Sequence, residues 1–159
     1  MSNKRPNWDL YFLRMLPLVK SRASCPRRQT GAILVDSKYR LISTGYNGPP
    51  TGLPNCTEVP CPGAADVTGD TRFCIALHAE HNAIYFAGDR REQAYTMYCT
   101  TQPCMKCSLE ILQTPIKRVL YLEEYPDKQA KHLLEQGGVL ATMYLYLDVK
   151  EENGITTIG

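Results

Sequence analysis

Two short runs hold residues able to do chemistry together: His78-Ala79-Glu80 and Pro103-Cys104-Met105-Lys106-Cys107. One imidazole and two thiolates make a three-ligand zinc set, the pattern of catalytic sites in which a fourth position stays open to water. Cys104 and Cys107 stand three residues apart at the start of a candidate helix, so both sulfurs can face one way. The positive end of that helix favours thiolate over thiol. If His78 opens the preceding helix, the two helix starts can face each other across the sheet edge. Glu80 follows the histidine by two residues, near enough to reach a water on the ion without taking a coordination position.

Each run alone says little. An H-x-E arises by chance, and a C-x-x-C serves equally as a redox pair or half of a structural zinc site. Order, spacing and the proline together match the H-x-E and P-C-x-x-C signature of zinc nucleobase deaminases. In that chemistry zinc brings the pKa of its water close to neutrality. Glu80 takes the water proton and delivers it to ring N3, hydroxide adds to C4 of a cytosine ring, and the tetrahedral carbon expels ammonia with a proton from Glu80. Backbone groups near Ala79 and Pro103 are placed to hold the ring edge.

These residues need a frame. Residues 8–22 set Trp8, Tyr11, Phe12, Met15 and Val19 at helical spacing, with Pro17 expected to kink the helix or end it early. "TGAILVD" (30–36) and "RLISTG" (40–45) read as a hairpin joined by "SKY". Helices are expected over 74–88, closed by Gly88, over 103–114 with Pro103 in the first turn, and over 126–137 ending at Gly137. Strands are expected over 94–100, 118–124 and 139–147, and the last dozen residues read as a tail, about 148–159. A hairpin followed by alternating strands and helices predicts an α/β sandwich with a mixed sheet. The 159 residues suit one domain, 1–159, with one core.

Composition narrows the function classes. A net charge of +2 offers no basic stripe for a nucleic-acid polymer, only short clusters such as Arg27-Arg28 and Arg90-Arg91 that read as solvated faces. No stretch is long and apolar enough to span a membrane. Arg14 and Lys20 interrupt the apolar run from Leu10 to Val19, which removes the signal-peptide reading. A cytoplasmic protein with reduced thiols is expected, where seven cysteines point to metal binding or catalysis before disulfides.

Between the hairpin and the first motif lies a Gly- and Pro-rich stretch without helical or strand period, about 46–73. Loops of that length are functional or disordered. Cys25, Cys56, Cys61 and Cys74 flank it or lie within it, while Cys99 sits in a strand as a small buried hydrophobe. A second, closed zinc site on those four would staple a segment too polar to fold alone. Another nearby group can replace Cys61 in that set, and the alternative is four reduced, unliganded thiols. His81 and His132 are not read as ligands.

From Trp8 to Gly138 the chain resembles the deoxycytidylate (dCMP) deaminases of the cytidine deaminase superfamily. Beyond the zinc motifs, "SRASCPRRQTGAILV", "LISTGYNGPPTGLPNC" and "LHAEHNAI" carry the likeness. The resemblance implies a three-layer α/β/α cytidine-deaminase-like fold with a mixed five-stranded sheet. It implies hydrolysis of dCMP to dUMP and ammonia, which feeds thymidylate synthesis, and a homohexamer activated by dCTP with Mg²⁺ and inhibited by dTTP. It implies a substrate contact from Asn47 to the deoxyribose hydroxyl, a phosphate contact from Arg27 with Arg28 beside it, and Tyr125 close to the substrate. Gly45, Asn47 and Gly48 become candidates for the regulatory nucleotide; the plain alternative for Asn47-Gly48 is a tight turn. Some relatives hold a second zinc with residues at the positions of Cys25 and Cys56. Asp89 stands where some relatives carry a regulatory arginine, with Arg90 and Arg91 next to it.

Two other classes compete. One is a deaminase of another base or nucleotide, such as dCTP or tRNA adenosine; a tRNA enzyme needs a basic RNA-binding surface. The other is a non-enzymatic zinc-stabilised binding module, which has no use for Glu80.

Overall fold

The structure is a computed structural model that describes residues 5–145. Five strands form one mixed sheet in the order β2-β1-β3-β4-β5. They are β1 (Gly31–Asp36), β2 (Leu41–Tyr46), β3 (Ala94–Thr101), β4 (Arg118–Glu123) and β5 (Leu140–Met143). β1 runs antiparallel to both β2 and β3, whereas β3, β4 and β5 are mutually parallel. Among the described residues the α-helices are α1 (Trp8–Lys20), the short α2 (Pro62–Ala65), α3 (Ala79–Phe86), α4 (Met105–Leu112) and α5 (Lys128–Gln136), with a 3-10 turn over Gly88–Gln93.

The period-two pattern of the inner strands builds two cores at once. Ile33, Val35, Tyr98 and Leu120 face Phe12, Leu13 and Leu16 of α1. Ala32, Leu34, Met97, Cys99, Val119 and Tyr121 face the opposite side, against Ala79 and Ala83 of α3, Ile111 of α4 and Leu134 of α5. Helices on both faces give the three-layer α/β/α fold. Each large side chain buried this way contributes about 1.5–3 kcal/mol. Asp9, in the first turn of α1, accepts from the Tyr98 hydroxyl (2.7 Å) and from Arg118 (2.8 Å), which ties α1 to β3 and β4.

Several boundaries differ from the sequence expectation. α1 runs past Pro17 and stops at Lys20. The expected helix from residue 74 starts only at Ala79, because Leu77 is held in an isolated β-bridge with Gly48. Pro103 precedes the N-cap of α4 and does not lie in its first turn. The long loop is broken by α2, whose N-cap is Cys61. The expected strand over 139–147 shortens to Leu140–Met143, and its last two positions, like the expected tail, lie outside the described residues.

Candidate active site

Both chemistry-bearing runs sit at helix starts. His78 is the N-cap of α3 (φ −74°, ψ 156°), and Cys104 is the N-cap of α4 (φ −73°, ψ 173°). N-cap side chains ordinarily accept from the first turn. Neither of these does, so the imidazole and the sulfur are free for other partners. His78 Nδ1 lies 3.5 Å from Cys104 Sγ and 3.4 Å from Cys107 Sγ. All three ligand atoms fall within 4.8 Å of one another.

That spacing tests the zinc reading. A tetrahedral ion with ordinary zinc–sulfur and zinc–nitrogen bonds holds nitrogen and sulfur about 3.6 Å apart. The observed separations match it, and the donors are of the type that suits zinc. Electrostatics favour anionic sulfur: a hydrogen bond from Cys107 and another from His78 draw Cys104 down to about 3. Cys107, which shares that hydrogen bond and is buried, is pushed up. His78 is raised, first by its bond to Cys104.

Glu80 belongs to the first turn of α3 and is 8% exposed. Burial pushes its carboxyl up, while its own backbone N–H, the neighbouring His78 and a hydrogen bond to Cys107 pull it down. It is thus a buried acid in contact with the trio.

The frame around the trio explains the glycines. Gly48 donates to the Leu77 carbonyl (3.2 Å) and accepts from the Leu77 N–H (2.8 Å), which fixes the residue before His78. Gly45 sits where a Cβ would collide with the Ala79 carbonyl and the Ala83 N–H, so β2 can lie close on α3. Ala79 and Pro103 are both buried and adjoin His78 and Cys104 in the chain.

Asn47 is 8% exposed. Its Oδ1 accepts from the Thr30 N–H (2.8 Å) and its Nδ2 donates to the Arg28 carbonyl (2.8 Å). The side chain therefore clamps the 28–30 segment. Arg27 donates to the carbonyls of Gly63 (2.7 Å) and Asp66 (3.0 Å), so its guanidinium ties the loop. Arg28 lies over the Tyr125 ring at 5.5 Å and donates to Thr101 Oγ1 at 3.3 Å. Its spacing from Arg27 by one residue turns the two side chains apart, which the sequence alone does not reveal.

A cavity of about 590 Å³ opens on the trio, with Leu77, Tyr125 and Asp127 in its walls, within the range that takes a small ligand. A second cavity, about 360 Å³, lies beyond Leu77 and is lined by Gly45, Tyr46, Gly48, Tyr85 and Phe86.

The four loop cysteines are only partly gathered. Cys61 is hydrogen-bonded to the side chains of Cys56 and Cys74, and its thiol is held at about 7, first by the Ile75 backbone N–H. Cys25 acts on Cys56 and on Cys74 through charge alone. Among the described residues, only His78, Cys104 and Cys107 bring three ligand atoms within 4.8 Å. Sequence reasoning also passed over Gln102, which is 5% exposed and bonds to both ends of the Tyr125 segment. A polar residue beside the proline of the cysteine motif was its only signal.

Comparison with known proteins follows this geometry. The family described as the cytidine and deoxycytidylate deaminase zinc-binding region matches residues 6–123. The deoxycytidylate deaminase of Saccharomyces cerevisiae is 40% identical over 149 residues, covering 91% of this chain and 47% of the yeast protein. The chain thus spans about half the length of that relative. The deoxycytidylate deaminase of Mycobacterium phage D29 is 36% identical over 126 residues, 76% of this chain and 98% of the phage protein. The crystal structure of the dCMP deaminase from cyanophage S-TIM5, in complex with dCMP and dUMP, superposes with a TM-score of 0.74 at 28% identity, over 89% of this chain and all of that one. With its zinc-binding region, this chain belongs to the cytidine and deoxycytidylate deaminase family.

Proposed function

We propose that this protein hydrolyses dCMP to dUMP and ammonia. The observation that carries the reading is the placement of a buried Glu80 against the gathered His78, Cys104 and Cys107. Those three residues hold a catalytic Zn²⁺, which when bound supplies a Lewis acid that makes water nucleophilic near neutral pH. Glu80 takes a proton from the attacking water and passes it to N3 of the cytosine ring. It then delivers the second water proton to the departing amine, so water and dCMP leave as dUMP and ammonia. Buried backbone groups at Ala79 and Pro103 orient the ring edge. Asn47 has one amide hydrogen beyond its bond to Arg28, and directs it to the deoxyribose hydroxyl. Arg28, held over the Tyr125 ring at 5.5 Å, supplies the guanidinium for the 5′-phosphate.

The finer parts of the reading rest on the same frame. The second cavity, with Gly45 and Gly48 in its wall and Asn47 between them in the chain, takes dCTP with Mg²⁺ as activator or dTTP as inhibitor. It touches Leu77, the residue before His78, which gives a route to the site. Cys25, Cys56, Cys61 and Cys74 close on a second, structural Zn²⁺ that pulls the four sulfurs together. The active form is a homohexamer in the cytoplasm, or the host cytoplasm if the gene is viral.

The test is ammonia release from dCMP, dCTP, deoxycytidine, cytosine and adenosine, with and without added dCTP or dTTP, with zinc measured on the same sample. Preference for dCMP supports the reading. Turnover of adenosine or free cytosine alone, or no turnover by a zinc-loaded sample, removes it.

A further inference from the structure

Gln102 holds one wall of the site cavity to the helix that carries two of the metal ligands. Its backbone N–H donates to the Glu123 carbonyl at 2.8 Å. Its side-chain Nε2 donates to the Asp127 carbonyl at 2.8 Å. Between those two anchor points runs the link from β4 to α5, residues 124–126, with Tyr125 in it. Asp127 closes the link: its N–H bonds the Tyr125 carbonyl (2.7 Å) and its side chain caps α5 through the Ala130 N–H (3.1 Å). One buried residue therefore grips both ends of the segment that presents Tyr125. Two residues further along the chain is Cys104.

Tyr125 and Asp127 line the same cavity as His78 and Cys104. Tyr125 is 37% exposed and bears the Arg28 guanidinium on its ring. Its backbone has no strand or helix partner of its own. The side-chain bond joins a buried donor to a half-buried carbonyl in the cavity wall, and its loss unties that end of the segment. Tyr125 would then drift from the Arg28 guanidinium, which its bond to Thr101 and the Asn47 clamp still hold, while the metal trio, built on α3 and α4, stays in place.

We propose that Gln102 is a positioning residue that sets the distance between the reacting end of the substrate and its phosphate end, and so fixes selectivity for a nucleoside 5′-monophosphate. The proposal rests on the dCMP reading above. Gln102 does not touch the reacting atoms; it acts through Tyr125 and Arg28.

The experiment compares dCMP with deoxycytidine, which lacks the phosphate, in zinc-loaded wild type, Gln102→Leu and Gln102→His. Loss of this one part-buried hydrogen bond corresponds to about a tenfold change. In Gln102→Leu, KM for dCMP rises about tenfold with kcat within about twofold. Turnover of deoxycytidine per unit KM stays the same, and zinc per chain is unchanged. Gln102→His, which keeps a ring N–H donor at similar reach, restores most of the dCMP KM. Calorimetric binding of dUMP weakens in parallel with KM, a readout independent of turnover. If Gln102→Leu does not fold, Gln102→Met, of similar length and with no donor, carries the same expectation. An equal loss on both substrates, a fall in kcat at constant KM, or an unaltered ratio overturns the proposal while dCMP turnover by wild type stands. A wild type inactive on dCMP overturns the functional reading, and this inference with it.

Discussion

Gly45 of β2 and Ala79 of α3 touch backbone to backbone: a Cβ on the glycine would collide with the Ala79 carbonyl oxygen. Ala79 lies between His78 and Glu80, so the glycine sets how closely the chemistry-bearing turn rests on the sheet. Gly45→Ala forces α3 outward, because the atoms met belong to main chain and cannot swing aside. Overpacking of this kind costs about 1–3 kcal/mol. The expected outcome is a lower urea midpoint together with lower zinc per chain. A variant with wild-type midpoint and full zinc would show that the contact relaxes without moving the site.

Glu80 separates metal binding from chemistry. Gln has the same shape and cannot carry the proton, and Glu80 is not one of the gathered ligands. Glu80→Gln is expected to keep its zinc and its KM and to lose kcat by about 10²–10⁴-fold, the size of a general acid–base contribution. Stopped assays of dUMP formation, with metal analysis of the same protein, check both halves. Retained turnover in a zinc-loaded sample would mean that another group moves the proton.

The two sets of cysteines give opposite signatures. Cys104→Ala removes one of three catalytic donors, so turnover disappears with the ion and returns for no amount of added zinc. Cys61→Ala breaks the set that Cys61 joins to Cys56 and Cys74 and leaves the three proposed catalytic donors intact. About two zinc ions per chain in wild type and one in Cys61→Ala, with a lower unfolding temperature, follow from a closed structural site. One zinc in both proteins, unchanged by Cys61→Ala, means that the loop thiols hold none.

How much of this was legible in the chain depends on range. The cysteine pair could be read because Cys104 and Cys107 lie three residues apart and helix geometry converts that spacing into a common face; His78, 26 residues before Cys104, joined them through the order of the two motifs. The layers could be read because strands and helices alternate after the hairpin, and the structure divides Ala32 and Leu34 from Ile33 and Val35 between the two cores. The start of α3 could not. Nothing local in "CIALHAEH" says that Leu77 pairs with Gly48, so apolar periodicity ran the helix back to Cys74. Nor could the division of labour between Arg27 and Arg28, since the carbonyls of Gly63 and Asp66 that hold the first belong to a loop with no period. Asn47, expected at the substrate with a tight turn as the plain alternative, clamps backbone groups of Arg28 and Thr30. Contacts of side chain to distant backbone leave no periodic trace in a sequence.

The latch of α1 should affect stability and spare chemistry. Asp9 accepts from Tyr98 and Arg118 at 2.7 and 2.8 Å, and the Tyr98 side chain is fully buried. Asp9→Ala leaves a buried hydroxyl and a guanidinium without that partner, a loss of about 1–3 kcal/mol. Tyr98→Phe alone costs less, and the double variant less than the sum, because the two changes share one interaction. The pH dependence follows from the same contacts. Burial, then Asp9, pushes the Tyr98 phenol above its ordinary value, and the bond to Asp9 pushes Arg118 above its own. Groups with raised folded values contribute stability that is complete below their unfolded pKa and is lost as pH rises through the folded one. For a phenol and a guanidinium that window is strongly alkaline, so the gap between wild type and Asp9→Ala stays level through the neutral range. Urea melts at several pH values, with dCMP assays in parallel, check it. A fall in kcat at full zinc occupancy, or a gap that closes near neutrality, would show that this latch reaches the active site or that another titrating group governs it.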